Sequence, residues 1–402
     1  MPQNEVKSGS DKRFERPSNA PPTGSPPPSA AQPAGQPSAA QTARRQTEQS
    51  ANAVIQFVSD LVGVKPYKAG RFRELFGSVF KSHKNERIED YFVVGGSRTT
   101  PSLSTVKTHW PKAWVSFYLL AGVGMLYMGL WAMFTYFENP LTIPGMILIG
   151  SFGVPMAVLM FFFEINVPRN VSIYRVIWMF LMGGMLSLMA ALIGFEFTDA
   201  MRLNWMGAAV AGLVEEPAKV LPLLLLVNRK RYPYTLNGLL FGAAVGAGFA
   251  AFETAGYVFQ AGVSGMIESA IQNPNNAMIG FQQSTQDLMI RRGMLTPIAH
   301  VVWGAMAGGM LWKVRGQRRF TFSMFADSRF LRVLGVAAIC HMIFNSVGLQ
   351  AGVVVFVPIG IVCWLVVFAI FSDGLRQVSK LKQKKLQESQ PAENPPTEGA
   401  AS

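Results

Sequence analysis

The sequence predicts an all-α polytopic membrane protein of about eight transmembrane helices, with both termini cytoplasmic. Three observations carry that reading. Half of the 402 residues are hydrophobic and only 15% are charged, whereas a typical soluble domain carries about 25% charge. The apolar residues collect into eight stretches, near 113–136, 142–164, 172–195, 204–227, 236–260, 295–313, 330–350 and 353–371. A hydrocarbon core of about 30 Å needs about 20 such residues per helix. The basic residues of a chain with net charge +13 favour alternate connections, as the positive-inside bias requires.

The elements follow in order. Residues 1–50 are crowded with Pro, Ala, Ser and Gln, as in SNAPPTGSPPPSAAQPAGQPSAAQ. Such a segment buries too little apolar surface to offset its ordering entropy, and a disordered extension is expected. Its start lacks the apolar core of a signal peptide. Residues 51–112 carry helical apolar periodicity in ANAVIQFVSDLVGV and AGRFRELFGSVF, so one or two cytoplasmic or interfacial helices are expected there. The membrane domain occupies 113–371. A polar loop with a short interfacial helix is expected over 263–294, and a polar, frayed tail over 372–402.

Charge sets the orientation. The N-terminal segment KPYKAGRFRELFGSVFKSHKNER, the connection NRKRYPY, the connection KVRGQRRF and the lysine-rich tail are basic, while ENPLT and LQAG carry no Lys or Arg. Eight crossings place the strongest basic segments on the side of the N-terminus; seven or nine would not. Because these residues flank apolar spans, they indicate membrane topology rather than a nucleic-acid partner. Cys340 and Cys363 both lie in apolar runs, which excludes a disulfide scaffold and a cysteine zinc site.

A few groups inside the spans are out of place. Glu215, Glu216 and Lys219 lie in the fourth span, Glu253 in the fifth, His300 in the sixth, and His341 with Asn345 in the seventh. Each ionisable group costs about 2.5–3.5 kcal/mol or more to insert. At 1.5 Å per residue, Glu215 lies about 17 Å below the outer edge, Glu253 about 10 Å, His300 and Asn345 about 8 Å, and His341 about 14 Å. Four helices therefore bring these groups to one layer in the outer half of the bilayer. Structural polar residues need not share a depth, so one site is expected.

Spacing adds detail. Glu215 and Lys219 are i, i+4 on one helix face, in the favourable acid-first order. Glu216 is rotated by about 100°, so one acid pairs with Lys219 and the other faces the site. His341 and Asn345 are also i, i+4. Gly238, Gly242 and Gly246, and likewise Gly304 and Gly308, recur every fourth residue, a small-residue seam for close helix packing. Trp205, Trp303 and Trp312 fall near span ends, where interfacial anchors are expected. Pro217 removes a bond from the helix ladder beside the two acids.

Carboxylates and imidazoles at membrane depth suit two jobs. One is hydrolysis, with Glu215 or Glu216 as general base and His341 and Asn345 stabilising the oxyanion. In that setting Glu253, His300 and His341 form an expected zinc ligand set, assembled from separate helices because no HExxH is present. The other job belongs to a non-enzymatic membrane protein: a proton-coupled transporter, or a binding or immunity protein. The EExxK segment has no convincing second copy, unlike the inverted repeats of transporters.

EEPAK (215–219) fits EExxK, FAAFE (249–253) fits FxxxE, TPIAHVVWGAMAGG supplies His300, and HMIFN (341–345) fits HxxxN. In this order on successive helices, roughly over residues 110–370, they resemble the PrsW family of intramembrane proteases, relatives of the CPBP group that includes CAAX prenyl endopeptidases. Glu253 stands where the CPBP pattern has a histidine, so PrsW is the nearer branch. The resemblance implies peptide-bond hydrolysis at a membrane by Glu215, Glu216, Glu253, His300 and His341. It also implies a membrane-anchored, single-pass substrate of the anti-sigma-factor kind, cut from the extracytoplasmic side, and a bacterial inner or plasma membrane location. A cytoplasmic partner for the N-terminal extension is left unspecified by the residues.

Overall fold

Long apolar runs interrupted by Pro, Gly and Asn fold as helices joined by tight turns. The computed structural model describes residues 39–65, 72–83, 90, 92–137, 139–227, 231–348 and 352–389, and among these no strand occurs. The chain divides into residues 1–48, of which the start of the first helix is the described part, and residues 49–402, which contain the membrane domain. The helices are α1 (Ala39–Val62), α2 (Phe72–Phe76), α3 (Val115–Phe137), α4 (Ile143–Ile165), α5 (Ile173–Trp178), α6 (Gly184–Ala200), α7 (Val210–Val227), α8 (Thr235–Gln272), α9 (Ala277–Leu295), α10 (His300–Arg315), α11 (Ser328–Ile343) and α12 (Val353–Glu388).

Seven helical segments among the described residues are long and apolar enough to cross a membrane: Val115–Phe137, Pro140–Ile165, Ile173–Ala200, Thr235–Gln272, Pro274–Arg315, Ser328–Val347 and Val353–Glu388. The remaining apolar stretch forms a 3-10 segment, Leu203–Ala209, followed by α7. Glu215, Glu216 and Lys219 set α7 apart in composition from the other seven. Gly207 makes the corner between the two pieces with φ 53° and ψ −137°, a conformation open chiefly to glycine. Eight crossings are expected from loop charge; seven segments meet the length and hydropathy of one, and the eighth stretch, α7, carries three ionisable groups in 18 residues.

Burial is uneven, and it shows where the centre lies. In Val115–Phe137 only 6% of the most apolar window is buried, against 94% in Thr235–Gln272. Helix α8 is therefore the axis, and α3 is a peripheral helix facing lipid. The glycine seam works as expected. A Cβ on Gly238, Gly242 or Gly246 would run into the backbone carbonyls of Gly308, Gly304 and His300 respectively. A Cβ on Gly248, on another face, would strike the Phe180 carbonyl, in the π-helical segment Met179–Gly183 between α5 and α6. Backbone approach this close locks α8 against α10 on one side and the π segment on the other.

The side of the bundle that carries the basic connections has its own polar fastenings. Glu164, buried near the end of α4, accepts hydrogen bonds from the backbone N–H groups of Trp114, Val115 and Ser116 at 2.8, 2.8 and 2.9 Å. These are the orphan donors of the α3 N-terminus. Asn237 donates to Asn166 at 2.9 Å and to Asn170 at 2.7 Å, tying the start of α8 to the turn after α4. Asp373 accepts from the Lys65 backbone N–H at 3.1 Å and from Lys313 Nζ at 2.5 Å. Among the described residues of 51–112, α1 and α2 are helical, and Val62, Val64 and Leu75 are buried in the main hydrophobic core.

Four expectations need correction. The 263–294 stretch is not a loop: α8 runs on to Gln272, and α9 folds back along it. Its polar residues conceal a second small-residue seam, in which a Cβ on Gly265 would meet Ser284 and one on Gly280 would meet Ser269. The tail is helical to Glu388 because α12 continues past the membrane with Leu375 and Val378 buried, and Lys382 Nζ bonds the Val106 carbonyl at 2.9 Å. Helix α1 starts at Ala39, inside the segment expected to be disordered; residues 1–38 and 390–402 lie outside the described residues. Trp303 and Trp312 are not interfacial anchors but fully buried, since α10 is enclosed by its neighbours. Trp205 is exposed, as an anchor should be.

Candidate active site

Three helix ends and the middle of α8 converge on one buried point. Glu215 and Glu216 lie in the second turn of α7, His300 is the first residue of α10, and His341 lies in the last turn of α11. Glu253 comes from α8. The break that places His300 at a helix start is Thr296–Pro297–Ile298, a 3-10 turn followed by Ala299 with φ −114° and ψ −135°. Trp364 Nε1 donates to the Pro297 carbonyl at 2.9 Å and fixes this turn to α12.

The two adjacent glutamates have different partners. Lys219 Nζ is 2.5 Å from Glu216 Oε1, and His341 Nδ1 is 2.8 Å from the same oxygen. Glu216 is 0% exposed and Lys219 1%. The expected acid–lysine pair is therefore i, i+3, through Glu216 rather than Glu215. Lys219 also lies over the Phe249 ring at 4.6 Å, a favourable seat for a desolvated cation. Glu215 Oε2 is buried with no hydrogen-bond partner. It lies 3.7 Å from His341 Nε2 and 3.9 Å from His300 Nδ1.

Proton positions follow from what each neighbour can donate. An ammonium only donates, so Lys219 Nζ, 2.9 Å from His300 Nδ1, makes that nitrogen an acceptor. The His300 proton is then on Nε2, 3.2 Å from Glu253 Oε2. A carboxylate only accepts, so Glu216 puts the His341 proton on Nδ1. Nε2 of His341 keeps its lone pair, 3.2 Å from Asn345 Nδ2. Trp303 stacks on the His341 ring with centroids 4.5 Å apart, which holds the ring plane.

His300 Nδ1 accepts from Lys219 and His341 Nε2 from Asn345, so of the three converging atoms Glu215 Oε2 is the one without a donor, and neither ring directs a proton at it. A buried acceptor left without a donor is costly, and a cation or a water satisfies it. Among the described residues, Glu215, His300 and His341 are also the group whose ligand atoms all lie within 4.8 Å of one another. The opposite nitrogen of each ring is held by a carboxylate, Glu253 behind His300 and Glu216 behind His341. Carboxylate–imidazole pairs of this kind orient metal-binding histidines. The donor set fits a divalent metal of the zinc type.

A family model described as PrsW family intramembrane metalloprotease matches residues 171–371, half of the chain. The chain belongs to that family. It is accordingly an enzyme, an intramembrane protease set in a multi-pass membrane domain. No curated protein and no solved structure matches it. The PrsW match begins at Val171 and ends at Phe371, so it contains every site residue and leaves out α1 to α4.

The structure brings Glu215, Glu216, Lys219, Glu253, His300 and His341 together, with Asn345 at the rim of the cluster. The ligand set differs in one member. Glu253, His300 and His341 were expected, whereas the converging atoms belong to Glu215, His300 and His341. Glu253 is turned instead toward His300 Nε2 and Arg292, which donates to it through a guanidinium nitrogen. Two neighbours escaped the sequence reading. Trp303 looked like an anchor because it sits near a span end. Arg292 lies in the 263–294 stretch expected to be a polar loop, which gives it no signal.

Proposed function

We propose that the chain hydrolyses a peptide bond of a membrane-associated protein within the outer half of the bilayer, at the centre formed by Glu215, His300 and His341. The observation that supports this most is Glu215 Oε2, a buried carboxylate oxygen without a partner between two imidazole acceptors. The outer-half position rests on loop charge: α7 and α10 begin, and α11 ends, at the side opposite the basic connections. A single-pass regulatory protein of the anti-sigma-factor kind is the substrate class implied by the motif resemblance.

Glu215, His300 and His341 would hold the metal, zinc being the ion this donor set suits. When bound, zinc would supply a Lewis acid for the carbonyl and a water of pKa about 7. The chain's own groups do the rest. Glu216 is committed to Lys219 and His341, so Glu215 is the carboxylate left for the water: with Oε2 as the atom turned to the two rings, Oε1 would take the proton. That proton passes to the leaving amine as the carbon–nitrogen bond breaks. Asn345 Nδ2, beside His341 Nε2, is placed to donate to the carbonyl oxygen as charge builds there. Lys219 keeps Glu216 ionised and Glu216 keeps His341 in its Nδ1–H form.

Purified protein in proteoliposomes with a single-pass reporter substrate tests this reading. Wild type should cleave the reporter, bind about one zinc per chain and lose activity to a chelator. His341→Ala should insert normally, cleave nothing and retain no zinc. Cleavage by His341→Ala at the wild-type rate would overturn the assignment.

A further inference from the structure

We infer that Arg292 is a positioning residue of the proteolytic site, acting through Glu253 on the His300 ring. The inference rests on the proposed site above and adds a residue from outside the motif helices. Arg291 and Arg292 are neighbours on α9, rotated by about 100° from each other, and their surroundings differ. Arg291 pairs with Asp287 at 2.9 Å in an exposed bridge, with side chains 65% and 63% accessible. Arg292 turns inward toward α8. It donates to Glu253 Oε2 and, through Nε, to Thr254 Oγ1 at 2.9 Å. Its guanidinium lies over the Tyr257 ring at 4.9 Å.

Glu253 needs such a partner. Its carboxylate is nine-tenths buried and its other contact is the neutral His300 ring. Without the guanidinium the buried carboxylate would swing toward water. That removes the acceptor at His300 Nε2 and releases the ring from the orientation that Glu253 and Lys219 hold between them. The fork geometry also matters. Arg292 bonds Glu253 and Thr254 from two different nitrogens at once, which a lysine cannot reproduce.

The position of Arg292 is set from a distance. The α8–α9 hairpin closes on the Gly262, Gly265 and Gly280 seam, where added Cβ atoms would strike Thr285, Ser284 and Ser269. That fixes the register of α9 on α8, so the guanidinium arrives beside Glu253. The hairpin that the sequence presents as a loop is the arm that delivers it.

The test is steady-state cleavage and zinc retention in Arg292→Gln, Arg292→Lys and Glu253→Gln, the Glu253/Arg292 double variant, and Arg291→Gln as control. Removing the support of a ligating histidine costs about 10–100-fold. Arg292→Gln is expected to lose that much in kcat and in zinc affinity, with KM within twofold. Arg292→Lys should recover part of the loss, the double variant should be no worse than Glu253→Gln alone, and Arg291→Gln should match wild type. A raised KM with kcat intact would make Arg292 a substrate contact and overturn the inference, as would multiplicative losses in the double variant. If Arg292→Gln does not accumulate, Arg292→Lys decides: wild-type kcat in that variant overturns it. An inactive Glu215→Gln beside a fully active Arg292→Gln would sink this inference alone. An active Glu215→Gln would sink the site reading beneath it.

Discussion

Glu215→Gln and Glu216→Gln are the same chemical change one residue apart, and the structure predicts opposite outcomes. Glu216 Oε1 is 2.5 Å from Lys219 Nζ and 2.8 Å from His341 Nδ1, at a point with essentially no solvent. Neutralising it strands a buried ammonium. Breaking a buried pair from one side costs about 3–5 kcal/mol, a large part of the 5–15 kcal/mol that holds a typical fold. Glu215 Oε2 has no partner to strand, so Glu215→Gln should leave stability unchanged or raise it while abolishing cleavage. Reversible SDS unfolding in detergent micelles, followed by tryptophan fluorescence, reads the difference. Removing both charges, with Glu216→Gln and Lys219→Met, should recover most of the loss of the single variant. Equal stability of the two single variants, or a larger loss in Glu215→Gln, would refute the assignment of partners.

Three further outcomes are expected. Gly246→Leu should fail to assemble or lose more than about 3 kcal/mol, the upper end of ordinary overpacking, because its side chain meets the backbone carbonyl of His300; detergent melting curves and cleavage should fall together. Glu164→Ala leaves three N–H groups of the α3 N-terminus without acceptors and should cost about 2–4 kcal/mol, read in the same unfolding assay. Asp327 caps α11, and hydrogen bonds from Arg329 hold its carboxyl down at about 2 instead of 3.8. A depressed carboxyl stabilises the fold above its unfolded value. The roughly 1 kcal/mol lost in Asp327→Ala should therefore be constant above pH 4 and vanish as pH falls through about 2, as acid titration of both proteins would show.

Much of this molecule is legible in its sequence because a bilayer is a strict solvent. Apolar runs of fixed length, and charges confined to one side of them, leave few alternatives. The ionisable groups stood out against that background, and their shared depth brought Glu215, Glu216, Glu253, His300 and His341 together before any coordinates. What composition hid was anything polar that is nonetheless packed. Helix α9 is hydrophilic and so looks like a loop in composition, and nothing in the sequence separates the inward Arg292 from its exposed neighbour Arg291. The small residues of α9 (Gly280 and Ser284) pack on α8 without an apolar signature. The choice of Lys219 partner was also out of reach: i+3 and i+4 are both allowed on a helix, and the position of His341, 125 residues away, decides between them. Trp303 failed for a related reason, since closeness to a span end is no guide once neighbouring helices enclose that end.

The central claim is that Glu215 is the working carboxylate of a proteolytic centre. It is tested most directly by the cleavage rate of a single-pass substrate co-reconstituted with Glu215→Gln, at inserted amounts equal to wild type. The account predicts a loss of at least about a hundredfold, the lower bound for removing a general base, with unfolding stability intact. Cleavage within twofold of wild type would contradict it.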